Sequence, residues 1–179
     1  MFLAADSATP ARLVDEGEAP ASSRVTYAIG QLVLWSADKS RVDADGKVLI
    51  NGQFHHLALA QPKLAPYGLA AQQVLEKLKL WERLQDKLVM GENVSQTRQF
   101  IESGNAELGF IAHSQVREQD GGSYWMVPPA WYAPITQQAL LLKAAINKSA
   151  AIQFWHFLKT PAAQAIIRDA GYGLPDSGH

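Results

Sequence analysis

The stretch Leu57-Ala58-Leu59-Ala60-Gln61-Pro62-Lys63-Leu64-Ala65-Pro66-Tyr67-Gly68 decides the fold. Its first four residues are a short apolar run that reads as a strand. The residues after Gly68 then change period: Tyr67–Leu78 places Ala70, Val74, Leu75 and Leu78 on one helical stripe. Strand, short polar junction and helix follow each other within about twenty residues, the grammar of an α/β unit.

Reading outward, the same grammar recurs. Val25–Trp35, Leu108–Ala112, Tyr124–Val127 and Gln138–Leu142 read as strands or extended crossings. A second junction, Gly91-Glu92-Asn93-Val94-Ser95-Gln96-Thr97, opens a helix over Val94–Ser103, with Val94, Thr97, Phe100 and Ile101 on its apolar face and Gly104 suited to its stop. Two helices close the chain: Ser149–Leu158, and Ala162–Ala170 behind the cap Thr160-Pro161, ended by Gly171. Near the front, Thr9-Pro10 gives a similar start to a short helix ending at Gly17. Polar Asp38–Gly52, with Asp45-Gly46 and Asn51-Gly52, reads as a surface excursion of hairpin type. No internal repeat or low-complexity segment is visible.

Composition narrows the function. The 179 residues are 47% hydrophobic and 18% charged, with a formal net charge of −1, so no net field favours nucleic acid or an anionic membrane surface. With no cysteine, a disulfide framework, a zinc-thiolate site and an iron–sulfur cluster are excluded. No apolar run reaches the roughly 18 to 20 residues of a membrane-spanning helix. The opening Met1-Phe2-Leu3-Ala4-Ala5-Asp6 lacks the basic start and long apolar run of an export signal.

Enzymatic motifs are missing too: there is no G-x-S-x-G, no G-x-x-x-x-G-K-[ST], no G-x-G-x-x-G after a strand and no H-E-x-x-H. The chain is therefore expected not to be an enzyme. Adjacent His55 and His56 would point to opposite faces of a strand and are read as surface or packing residues. His113, just after a strand, is the one histidine placed where a ligand could bind, though a lone histidine is more often structural. The five tryptophans are scattered and form no base-stacking platform. Asn93-Val94-Ser95 and Asn147-Lys148-Ser149 are read as helix-start chemistry. What remains is the pair of strand-to-helix junctions. Free N–H groups and the positive dipole end make a helix start an anion site, and Gly68 would let a ligand approach the backbone closely. Ordinary capping explains the same residues without a ligand.

Several blocks resemble the periplasmic molybdate-binding proteins of ABC importers. They are Phe2–Asp6, Tyr27–Ser36, Leu57–Pro62 with Ala65–Gly68, Gly91–Val94, Gly104–Phe110 and Ala170–Gly173, in the family's order and almost end to end. The resemblance implies an α/β, type II periplasmic-binding fold of two lobes joined by crossing strands. An oxyanion is held between the lobes by neutral donors, with no lysine or arginine required. It implies residues 1–30 and 134–179 as a remnant of lobe 1 with the C-terminal helices, and 31–133 as lobe 2. It assigns the backbone amides of Tyr67 and Val94 to the oxyanion, molybdate or tungstate, with sulfate a weaker alternative and no cofactor. Ala112 stands where some members carry a ligand-contacting tyrosine, a hydroxyl for which Tyr67 is expected to compensate. The family begins with a further strand–helix–strand–helix segment carrying two serine loops. The expectation is thus an incomplete lobe 1, weakened or lost binding, and self-association through Leu13, Val14, Phe154, Trp155 and Phe157. The implied partner is an importer permease and the implied compartment the periplasm.

Overall fold

Leu57–Ala60 and Leu108–Ala112 are apolar without alternation because both faces of these strands are covered, and every residue in both is buried. They form the centre of a five-stranded sheet in a computed structural model that describes residues 1–116 and 121–175. Residues 117–120 and 176–179, which fall inside the expected lobes, lie outside the described residues. In chain order the elements are β1 (Phe2–Ala4), α1 (Ala8–Asp15), β2 (Val25–Gly30), β3 (Leu32–Ser36), α2 (Val48–Asn51), β4 (Leu57–Ala60) and α3 (Pro66–Lys77). There follow α4 (Trp81–Leu84), β5 (Leu88–Gly91), α5 (Val94–Glu102), β6 (Leu108–Ala112), β7 (Ser123–Met126), β8 (Ile135–Leu140), α6 (Ser149–Phe157) and α7 (Pro161–Asp169).

The chain divides into two compact units. Unit 2, Gln31–Pro134, is built on the sheet β5-β4-β6-β3-β7, in which β4 runs parallel to β5 and β6 while β3 runs antiparallel to β6 and β7. One face carries Val33, Trp35, Ala58 and Ile111 against Ile101, Val94 and Phe100 of α5. Strand alternation turns Leu57, Leu59, Leu108 and Phe110 to the other face, where α3 packs. Unit 1, Met1–Gly30 with the chain from Ile135 onward, centres on the antiparallel sheet β1-β8-β2, and the Trp155 indole N–H of α6 donates to the carbonyl of Ser23, two residues before β2 (2.7 Å).

Several expectations need correction. Val25–Trp35 is two strands that part at Gln31, β2 pairing with β8 and β3 with β6 and β7. The strand read at Gln138–Leu142 begins earlier, at Ile135. The first helix starts at Ala8, not behind Thr9, because the Asp6 carboxylate accepts the Thr9 N–H (2.6 Å) and hydroxyl (3.1 Å). Asp38–Gly52 is no hairpin: the Asp43 carboxylate gathers the N–H groups of Asp45, Lys47 and Val48 and starts the short helix α2. Burial pushes the Asp43 carboxyl up, but those N–H donors outweigh it and hold it below its ordinary range. Asn93 does cap α5, whereas α6 has no side-chain cap and Asn147 does not serve it. Strand β5 was not read from the sequence at all.

Candidate functional site: two helix starts on one sheet edge

The parallel pairing of β4 with β5 brings the two junctions together. Ala60 lies opposite Gly91, and the Gln61 N–H extends the ladder one step to the Gly91 carbonyl at 2.7 Å. The strands therefore end side by side, about 4.8 Å apart in the hydrogen-bonding direction, and each turns within a few residues into a helix. β6, parallel to β4, delivers Ala112 and His113 to the same edge. The C-terminal ends of strands in open α/β sheets are where such folds place ligands.

The two helix starts are built differently. At α5, Asn93 is extended and its side-chain oxygen accepts the Ser95 and Gln96 N–H groups at 3.0 Å each, while its carbonyl accepts from Thr97. Gln96 reaches back to accept the Glu92 N–H at 2.6 Å. Val94 is the first helical residue, and among the described residues no acceptor meets its N–H. At α3 the cap position is Ala65, with no side chain to offer, and Pro66 has no N–H, so Tyr67 carries the first N–H of the helix. Gly68 and Leu69 both donate to the Ala65 carbonyl. The Tyr67 ring is buried, with 7% exposure.

Gly68 has a different reason from the one expected. A Cβ there would sit 2.2 Å from the Ala60 carbonyl oxygen and 2.9 Å from the Gln61 carbonyl carbon. Its direction is filled by the strand the helix has just left, so the glycine lets α3 lie against β4 rather than a ligand approach the backbone.

His55 and His56 are exposed, but they precede β4 instead of lying on a strand with opposite-facing side chains. The Glu107 carboxylate accepts the N–H groups of His55 (2.9 Å) and His56 (2.8 Å), with the His55 ring nitrogen 3.0 Å away. Burial pushes this carboxyl up, but the N–H groups and the His55 ring pull it down to about 2. His113 has its N–H on the Gln31 carbonyl (2.9 Å), its Nδ1 3.2 Å from Gln31 Oε1 and its ring beside Tyr124. Among the described residues no group of three or more His, Cys, Asp or Glu is placed to hold a metal ion, and no helix is long and apolar enough to cross a membrane. Arg98, the cation of α5, is engaged with Glu102, the Gln115 carbonyl and the Trp35 ring. Lys63 of the first junction is exposed.

This architecture is that of a periplasmic-type binding protein, and residues 1–173 match the model of the bacterial extracellular solute-binding proteins, the family to which the chain belongs. Its relatives there are specific. The molybdate-binding protein ModA of Rhodobacter capsulatus is 51% identical over 172 residues, 96% of this chain and 68% of the relative. The solved periplasmic molybdate-binding protein of Azotobacter vinelandii superposes with a TM-score of 0.89 at 44% identity, covering 98% of this chain and 78% of that one. The substrate-binding domain of a putative molybdenum ABC transporter from Clostridium difficile follows at TM-score 0.82 and 28% identity, covering 98% and 76%.

Proposed function

We propose that this chain binds molybdate, or tungstate of the same shape and charge, through the backbone N–H groups of Tyr67 and Val94. It delivers the ion unchanged to the permease of an ABC-type importer, in the periplasm. One observation carries the reading: the register Ala60 opposite Gly91 opens two helices side by side at one sheet edge. Positive dipole ends and preset amides favour a dianion there without a titratable cation. Hydrogen bonds to a charged group contribute roughly 1.5 to 3 kcal/mol each. The similarity to molybdate-binding proteins supports the identity of the ion. Isothermal titration with molybdate, tungstate and sulfate, carried to millimolar ligand, tests it. Molybdate and tungstate should bind alike and sulfate more weakly; no response to molybdate, or equal affinity for sulfate, would overturn the assignment.

A second reading concerns association. Of the apolar residues expected to drive it, Phe154 and Phe157 are 45% and 40% exposed and stack on each other, while Leu13, Val14 and Trp155 are half-buried; Leu3 and Ile166, 43% and 62% exposed, add to the apolar surface of unit 1. An apolar set of this kind favours self-association of the chain. Light scattering at micromolar concentration should give a mass above 19.6 kDa; a monomer that binds no hydrophobic dye would exclude it.

A further inference from the structure

We propose that Gln73 is a positioning residue for the anion-binding amides, an inference that rests on the reading of Tyr67 and Val94 given above. Gln73 lies six residues beyond Tyr67 on α3, about 9 Å along the axis. Its side-chain oxygen accepts the Ala133 N–H at 2.8 Å, across sixty residues of sequence. Ala133 belongs to the segment by which the chain leaves unit 2, where α3 also packs on the turn Pro129–Trp131.

The same segment is fastened to the start of the unit, for the neighbouring Tyr132 hydroxyl accepts the Leu32 N–H at 3.1 Å. His113 makes the matching tie on the third strand end, holding Gln31 by backbone and side chain. α3 and the end of β6 are therefore referenced to Ala133 and Gln31, which lie beside the exit from unit 2 and at its start.

The physical need for Gln73 lies in the rest of the α3 interface. Ala70, Ala71, Val74 and Leu75 bury α3 on the sheet. Apolar contact is non-directional and resists sliding along the helix axis poorly. A single directional bond fixes that coordinate. The axial position of α3 sets where the Tyr67 N–H stands relative to that of Val94, so Gln73 acts on the anion through the spacing of two donors it does not touch.

Molybdate titrations of Gln73→Met, Ala133→Pro and the double variant form a cycle. Each single change should weaken affinity about tenfold, the scale at which supporting residues act on bound ions, and the double variant should be no weaker than the worse single. Gln73→Glu, which keeps an acceptor for Ala133, should bind within about threefold of the unaltered chain when about 0.3 M salt screens the new charge. A structural role alone would lower the melting temperature and leave affinity unchanged, and that result, or additive losses in the cycle, overturns the inference while the binding reading stands. If Ala133→Pro does not fold, the contrast of Met with Glu at position 73 decides. An unaltered chain that shows no molybdate binding overturns both.

Discussion

The starts of α3 and α5 lie side by side and meet the same demand with different chemistry. α5 satisfies its first turn from within, Asn93 taking two amides on its side chain, and among the described residues no acceptor meets the Val94 N–H. α3 has no side chain to cap it and relies on Pro66, Gly68 and the Ala65 carbonyl. The difference teaches which variable each helix controls. α5 holds a donor whose surroundings are preset by its own residues, whereas the placement of α3 is set by packing against β4 and by Gln73.

The largest effect expected from this contrast is at Gly68. Gly68→Ala forces a methyl group into the Ala60 carbonyl and must lift the helix, so denaturant unfolding should show a loss of about 3 kcal/mol, the upper range for overpacking. A loss below about 0.5 kcal/mol would mean that α3 is free to shift, breaking the comparison.

Val94→Pro tests the other helix. Proline is favoured at a first helical position, and extended Asn93 suits the residue before it, so the helix should persist while one donor disappears. Molybdate affinity should fall by roughly 1.5 to 3 kcal/mol with little change in melting. Unchanged affinity would remove Val94 from the site.

Asn93→Ala sharpens the division of labour, costing about 1 kcal/mol of stability for the lost cap. Affinity should change less than with Val94→Pro, because the donors it exposes are not the one assigned to the ion.

Glu107 provides a pH test away from the edge. Its folded carboxyl lies at about 2 against an ordinary 4.5. The stabilisation is fully present above the unfolded value and is lost as pH falls from about 4.5 towards 2. Acid unfolding of Glu107→Gln should lack that component, while molybdate affinity at neutral pH stays the same. The smallest effect is expected for Lys63→Met, an exposed residue of the first junction: affinity should change less than threefold at about 0.15 M salt.

How much of this was legible depends on how local the signal is. Leu57–Ala60 and Leu108–Ala112 were read to the residue because a doubly covered strand is an unbroken apolar run between polar punctuation. The α5 start was readable because an Asn cap writes itself into the sequence, and Gly104 and Gly171 take the positive φ their helix stops suggested. β5 escaped because Leu88-Val89-Met90-Gly91 is a four-residue edge strand, only Gly91 of which is buried. The break at Gln31 escaped because apolarity continues through it while the pairing partners change. That the two junctions are neighbours is a property of the parallel ladder, and no local pattern states it. Gly68 shows the same limit, since its partner is the carbonyl of Ala60, eight residues earlier.

Gly30 and Ile135 are partners in the β2–β8 ladder. To a folding chain, everything from Gln31 to Pro134 is thus an insertion whose ends are held one strand spacing apart. Loop-closure entropy grows only with the logarithm of length, so the ladder hardly registers how large the inserted piece is. For protein engineering, a distance of one strand spacing between Gly30 and Ile135 is one that a short turn could also bridge.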